Sequence, residues 1–301
     1  MSNEGVEETV LGTVVMPYCS GLGNLIFAFL LGSHPGSGAE VVTNCLVNNV
    51  TNLTLLIGLP AVLWGIAIAP RNRKFTKGAV GGTARGDSVQ RLNRLSLLLT
   101  LVAVIFFSGV LWALAADGEI DFRDGIVLIA LFLFWQTFQV FDVLKNNVRQ
   151  NRGLSWMLLV DLILLGVGAY GVYISIDWLV TWLLRIENGF VSAKYLGWLS
   201  GWLMVLPNAL LAIYYGWTRR PEIIYASQVG DAHVCIPLCI GIVSLYKPIH
   251  LPLFFQAGMA ILIGTTLVHL FFLGVFGRLP RWAGALLVAG YGFFLYKGLF
   301  S

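Results

Sequence analysis

Nine apolar stretches, each of roughly twenty residues or more, divide this chain of 301 residues. A helix of that length crosses a hydrocarbon layer of about 30 Å, whereas membrane β-strands are about half as long and alternate in polarity. Hydrophobic residues make up 57% of the chain and charged residues 11%, a balance that excludes a water-soluble domain. We predict an all-α polytopic membrane protein in a lipid bilayer, with about nine transmembrane helices over 10–31, 41–69, 93–116, 125–144, 154–184, 192–217, 222–246, 251–275 and 281–300.

Basic residues indicate how these helices are oriented. In a nine-span arrangement, fourteen of the nineteen Lys and Arg residues fall in loops on one side, which the positive-inside bias makes cytoplasmic. The amino terminus is then cytoplasmic and the carboxyl terminus outside, in what we expect to be a bacterial inner membrane. The start MSNEGVEETV is acidic and lacks a basic leader, so no removable signal peptide is expected. The net charge of +4 requires no nucleic-acid partner, because anionic lipid accounts for it.

Two distant parts of the chain look like copies of one element. The first copy joins 21–32 to 43–59, and the second joins 205–217 to 230–245. Their leading helices run in opposite directions, which predicts inverted repeats in the halves 1–147 and 148–301 of a single membrane domain. Such repeats enclose a binding site near the bilayer midplane, where we expect backbone unwound beside Gly and Pro to expose carbonyl oxygens.

The motifs of these copies, in this order, resemble those of the sodium/calcium exchanger family within the calcium/cation antiporter superfamily. Its repeats read roughly GTSLPE on one helix and GNVVGSNIFN on the next. Here TNCLVNNVTN and GDAHVCIPLC stand at the second motif, Leu206–Asn208 reads LPN in place of LPE, and RDGIVLIALFLFW at 123–135 is similar to the helix before the family's central loop. The resemblance covers nearly the whole chain and implies cation transport.

The resemblance also implies a set of ion ligands. It places the family's two essential glutamates at Asn24 and Asn208, and the neighbouring hydroxyl and amide ligands at Asn48, Asn52, Cys235 and Cys239. None of these six side chains carries a formal charge, and a thiol is a poor ligand for a hard cation. Calcium prefers several carboxylates or many carbonyl oxygens, so we predict a neutral, altered site that does not bind calcium tightly.

Other polar residues allow two interpretations each. Asp231 either supplies the lost negative charge or caps a helix near the cytoplasmic surface beside Arg219 and Arg220. His233 with Cys235 and Cys239 could suggest a soft-metal cluster, but packing is favoured, and no metal site or disulfide framework is expected. His269 is expected to be a hydrogen-bonded interior residue. The amides of Asn48, Asn49 and Asn52 predict an interior polar seam.

The resemblance further implies that one helix is absent. The family has ten helices, five per repeat, and this chain has only about ten polar residues before its first span. A four-plus-five arrangement without the first helix of repeat one would leave an open groove. The transmembrane helix of a partner membrane protein could fill that groove.

Two functions remain open at this point. In the first, the protein is an antiporter relative that moves a monovalent cation, a proton or another small solute by rocking about the midplane. In the second, it no longer transports and serves as a structural or accessory subunit of a membrane complex. No nucleophile–base grouping, HExxH motif or phosphate-binding glycine loop occurs, so we expect neither enzymatic activity nor a cofactor.

Overall fold

The computed structural model describes residues 16–32, 38–68, 83–148, 157–186 and 192–300. Residues 1–15 lie outside these ranges, and the predicted absence of a repeat helix depends on them. The basic loop segments 69–82 and 149–156 also lie outside the described ranges. The described chain is almost entirely helical, with helices α1 (Met16–Gly32), α2 (Gly38–Thr51), α3 (Ile57–Trp64), α4 (Thr83–Leu114), α5 (Phe122–Val148), α6 (Met157–Leu183), α7 (Leu196–Trp217), α8 (Pro221–Val234), α9 (Ile240–Tyr246), α10 (Phe255–Phe271) and α11 (Arg281–Leu299).

Several of these helices can cross a membrane. By length and apolar composition, six helical stretches in the described ranges qualify: Gly38–Trp64, Arg94–Asp117, Ile163–Leu183, Leu196–Trp217, Pro221–Tyr246 and Phe255–Phe276. Within an apolar part of 18 residues, 78% of Gly38–Trp64 and of Pro221–Tyr246 is buried, compared with 11% of Ile163–Leu183. Two helical rods therefore form the centre of the protein, and α6 lies at its edge with apolar side chains facing outward, as in a helix surrounded by lipid.

Each central rod contains a π-helical interruption. Helix α2 is 14 residues long and leads into the first π segment (Asn52–Leu56) before α3, while α8, also 14 residues long, leads into the second π segment (Cys235–Cys239) before α9. Pro237 in the second segment has no N–H, which disfavours α-helical bonding there. In the first rod, the hydroxyls of Thr51 and Thr54 bond the carbonyl oxygens of Val47 and Val50, a pattern that bends helices.

The location of these interruptions differs from the prediction. We expected unwound backbone beside Gly and Pro in each repeat, but α1 and α7 run without a break through Asn24 and Asn208, even though α7 includes Pro207. The rods instead keep their backbone hydrogen bonded by widening to π turns, because an unpaired peptide group is costly in a bilayer.

Short strands join the loops at two places. Strand β1 (Ile66–Ala67) pairs with β4 (Arg278–Leu279), and β2 (Glu119–Ile120) pairs with β3 (Ile249–His250), both antiparallel. The predicted helix 41–69 is therefore too long, because the rod ends at Trp64, where Gly65 adopts a positive φ of 72° and the chain enters β1.

A capping box defines the start of α5. The carboxylate of Asp121 accepts hydrogen bonds from the backbone N–H groups of Asp124 and Arg123, and the Asp124 carboxylate accepts one from the Asp121 N–H. These bonds favour the ionised form, so the N–H of Asp124 first, and that of Arg123 as well, hold the pKa of Asp121 below its ordinary value.

Glycine pairs allow two helix crossings to be very close. A Cβ on Gly58 of α3 would lie 2.9 Å from the carbonyl oxygen of Gly284 on α11, and one on Gly284 would lie 2.8 Å from that of Gly58. The same arrangement recurs where α9 crosses α5, because a Cβ on Gly125 would lie 2.9 Å from the Gly241 carbonyl oxygen. Small residues at these points let the backbones make contact in the absence of larger side chains.

We expect Gly284→Ala to lower the free energy of unfolding in detergent by about 1–3 kcal/mol, the usual cost of overpacking a tight contact. Gly290→Ala on the same helix is the matched control, because nothing lies within 4 Å of the position of its Cβ. Chemical denaturation followed by circular dichroism measures both variants. An equal loss at the two positions would contradict the close crossing.

Candidate functional site in the membrane interior

Polar side chains repeat every four residues along both central rods. The row on the first rod contains Asn44, Asn48 and Asn52, and the row on the second contains Ser227, Asp231, Cys235 and Cys239. Residues four apart share one face of a helix, and every member of both rows is buried. Asn48 and Asp231 take equivalent places, because each lies four residues before the start of its π segment.

The only carboxylate in these rows, Asp231, forms the centre of the site. It is completely buried, roughly midway along the second rod. Its Oδ2 atom accepts a hydrogen bond from Asn208 Nδ2 at 2.6 Å and another from Asn52 Nδ2 at 2.9 Å. Asp231 therefore does not cap a helix beside Arg219 and Arg220, and that interpretation is wrong. Amides from both halves of the chain bind one carboxylate oxygen.

Further bonds fix the orientation of these amides. Asn52 Nδ2 also donates to Asn48 Oδ1 at 2.9 Å, so the Asn52 amide bridges Asn48 in its own row and Asp231 in the other row. Asn208 Oδ1 accepts from the Ser227 hydroxyl at 3.3 Å, and Gln228 Nε2 donates to the Asn208 carbonyl oxygen at 3.2 Å. Because Asn208 is held at both its amide and its backbone, its Nδ2 stays directed at Asp231.

Asn24 lies on α1, which packs against α8. At the contact, a Cβ on Gly21 would lie 3.0 Å from Val234 Cβ. Asn24 is completely buried, and neither atom of its amide has a hydrogen-bond partner among the described residues. The side-chain oxygens of Asn49, Asn52 and Gln228 share this condition. Buried amide oxygens without donors cost about 1–3 kcal/mol each, and such groups in proteins usually bind water or an ion.

The cysteines contribute differently from the amides. Cys45, Cys235 and Cys239 are free and buried, and the Cys45 thiol lies 3.3 Å from the Cys235 carbonyl oxygen, to which it donates. No group of three His, Cys, Asp or Glu side chains within the described ranges is arranged to hold a metal ion. The two cysteines carried over as ion ligands, Cys235 and Cys239, thus lie on the same rod as Asp231, one and two helical turns beyond it.

Three polar residues of this neighbourhood were not predicted from the sequence. Asn44 donates to the Ser200 hydroxyl at 3.0 Å, and Ser227 and Gln228 bind Asn208. The sequence spacing indicates two of them, because Asn44 precedes Asn48 by four residues and Ser227 precedes Asp231 by four. Extending each row of polar residues by one helical turn would have found Asn44 and Ser227 but not Gln228.

Comparison with known proteins shows the family to which this chain belongs. The family model described as sodium/calcium exchanger protein matches residues 2–141 and 160–298. The chain belongs to the sodium/calcium exchanger family. It is 22% identical over 292 residues to the uncharacterized membrane protein MJ0091 of Methanocaldococcus jannaschii, covering 95% of this chain and 85% of that protein.

Solved structures of a sodium-calcium exchanger share the fold of this family member. The exchanger NCX_Mj soaked with 10 mM Na⁺ and 10 mM Sr²⁺ superimposes with a TM-score of 0.67 at 18% identity, covering 100% of this chain and 90% of that one. The same exchanger soaked with 2.5 mM Na⁺ and 0.1 mM Ca²⁺ gives 0.65 at 18% identity, again with 100% and 90% coverage. The resemblance to this family is thereby confirmed, and so is the exchanger-like fold.

We expect Asn52→Ala to lower the free energy of unfolding by roughly 2 kcal/mol, because an amide that donates to a carboxylate is lost. In an Asp231→Ala background the same change should cost less by about 1 kcal/mol, and this difference isolates the pairwise interaction. Denaturation in detergent measures the four proteins of the cycle.

The matched control for this cycle is Asn44→Ala, whose amide donates to Ser200 rather than to Asp231. Its cost should be the same with and without Asp231. An Asn52→Ala cost that does not change when Asp231 is removed would contradict the geometry described above.

Proposed function

We propose that this family member transports a monovalent cation or a proton at a site whose single negative charge is Asp231. One observation carries this proposal: Asp231 Oδ2 accepts amide hydrogen bonds from Asn52 in the first half of the chain and from Asn208 in the second. A group held by both halves changes its surroundings whenever the halves move relative to each other. Such movement is how transporters with repeated halves alternate access.

The charge of the site limits what it can carry. A carboxylate at the centre of a bilayer costs several kcal/mol and is found where it has a function. Two amide donors offset part of this cost, since a hydrogen bond to a charged group is worth about 1.5–3 kcal/mol. A proton or one monovalent cation neutralises the remaining charge. A divalent cation would leave an uncompensated positive charge among Asn24, Asn48, Asn52 and Asn208.

Amide oxygens complete a coordination shell of this kind. Asn24, Asn49, Asn52 and Gln228 offer buried oxygens to which no donor of the described residues is directed. Neutral oxygens with one carboxylate suit a weakly held monovalent ion, whereas calcium prefers several carboxylates. At the positions that the family resemblance assigns to glutamate, Asn24 and Asn208 remove two such carboxylates. We therefore infer that calcium is not bound tightly.

We further propose that the halves 1–147 and 148–301 are inverted repeats in a nine-helix arrangement. Support comes from the equal lengths of α2 and α8, from their π segments, and from the two glycine crossings. The pair β1–β4 joins two loops that the charge pattern assigns to the cytoplasmic side, and the pair β2–β3 joins two loops that it assigns to the outside. With this arrangement we propose a cytoplasmic amino terminus, an external carboxyl terminus and a bacterial inner membrane. The proposal includes no enzymatic activity.

Transport is tested with purified protein in liposomes under gradients of ²²Na⁺, ⁸⁶Rb⁺, ⁴⁵Ca²⁺ and protons. We expect flux of a monovalent cation or of protons, no calcium flux, and at least about tenfold lower flux in Asp231→Asn, corresponding to 1.4 kcal/mol or more. The double variant Asp231→Asn with Asn208→Asp keeps one carboxylate in the site and should recover part of the flux.

The control is Asp177→Asn, which removes an exposed carboxylate on α6 and should leave flux unchanged. Calcium transport by the wild type, or undiminished flux in Asp231→Asn, would overturn the proposed site.

A second candidate function is a transport-inactive accessory subunit, and the outward apolar face of α6 favours it. Helix α6 exposes many large apolar side chains that the helix of a partner membrane protein can contact, including Ile163, Leu164, Val167, Tyr170 and Trp178. This function requires the wild type to show no flux under any of these gradients and to be isolated with a partner in fixed stoichiometry.

A further inference from the structure

A completely buried histidine, His269 on α10, forms a hydrogen bond to each of the two central rods. Its Nε2 atom lies 2.7 Å from the Leu53 carbonyl oxygen, and its Nδ1 atom lies 3.0 Å from the Tyr225 hydroxyl. A carbonyl oxygen only accepts, so Nε2 carries the proton. Nδ1 is then the acceptor, and the Tyr225 hydroxyl donates to it.

The two partners of His269 belong to the two rods that form the site. Leu53 is in the first π segment and follows Asn52, whose amide donates to Asp231. Tyr225 is on α8, six residues before Asp231. The imidazole therefore connects the backbone that carries Asn52 to the helix that carries Asp231, at a second point beside the hydrogen bond between them.

The connection matters because its acceptor, the Leu53 carbonyl oxygen, lies in a π segment. Hydrogen bonds in a π segment run from i to i+5 instead of i to i+4, so one carbonyl at the junction loses its helical donor. A segment of this kind can return to an α-helix at little cost, which would rotate Asn52 relative to Asp231. A strong side-chain donor on the Leu53 carbonyl favours the π form. The π segment of the second rod has a weaker counterpart, the Cys45 thiol on the Cys235 carbonyl oxygen at 3.3 Å.

We propose that His269 is a positioning residue that holds the first π segment in register with α8 and thereby sets the contact between Asn52 and Asp231. Its role as part of a cation site rests on the proposed function, but its effect on Asp231 does not. The hydrogen bonds of the imidazole run to Leu53 and Tyr225, and it acts on Asp231 through these two residues.

The test uses the reaction of Asp231 with dicyclohexylcarbodiimide, which modifies protonated carboxyl groups in apolar surroundings. The full-length protein in detergent is treated in choline chloride, without transported cations, and the labelled fraction of Asp231 is followed by mass spectrometry. In His269→Phe the first π segment loses its donor, Asn52 holds Asp231 less firmly, and labelling should be roughly fivefold faster, the factor for one lost hydrogen bond. In His269→Gln the amide nitrogen reaches the Leu53 carbonyl oxygen, so the rate should return close to that of the wild type.

The matched control is His233→Phe. His233 is also a buried histidine with Nε2 near a backbone carbonyl, that of Thr100 at 3.1 Å, and it packs against Phe107 and Trp135. Its loss should lower thermal stability by a similar amount and leave the labelling rate of Asp231 unchanged. If His269→Phe does not fold, Tyr225→Phe removes only the hydroxyl and should raise the rate by a smaller factor.

Two results would overturn the inference: equal labelling rates in His269→Phe and His233→Phe, or a His269→Gln rate as high as that of His269→Phe. Repeating the reaction in NaCl and KCl tests the proposed function separately, since a bound cation should protect Asp231. Absence of protection in the wild type would overturn cation binding, while the rates measured without cations would still decide the role of His269.

Discussion

A carboxylate inside a bilayer has to be neutralised or hydrogen bonded, and Asp231 satisfies this requirement with amides supplied from two different parts of the chain. Asn52 approaches from the first rod and Asn208 from α7, and both donate to the same oxygen. The interaction makes the site depend on the relative placement of the two halves. It also leaves the site with one carboxylate, so a single residue sets its negative charge.

The rest of the structure maintains that placement. Glycine contacts bring α3 onto α11 and α9 onto α5 with backbone nearly touching backbone, and strand pairs join the loops beyond them. Within this frame the π segments are the least regular backbone of the two rods, and each has a carbonyl oxygen bonded by a side chain of another helix. Close crossings therefore surround two π turns whose backbone carbonyl oxygens keep hydrogen-bond partners in the membrane interior.

The membrane helices of this fold could be predicted from the sequence, because long apolar stretches report directly on such helices. The residues Asn208 and Asp231, which meet in the structure, were both singled out from motif position. The π turns could not be predicted, since Pro and Gly in a sequence indicate a disturbed helix without indicating whether it unwinds or widens. The capping interpretation of Asp231 failed for a related reason: distance along the chain from Arg219 and Arg220 does not show that α8 carries the carboxylate into the interior.

The central claim is that one carboxylate defines the charge of this site. Crystals of the protein soaked separately in Tl⁺ and in Sr²⁺, and measured for anomalous scattering, test it most directly. We expect no strontium peak in the membrane interior, and either a thallium peak beside Asp231 or, if the transported ion is a proton, an interior without either ion. A well-ordered strontium ion bound between Asn24 and Asn208 would contradict it.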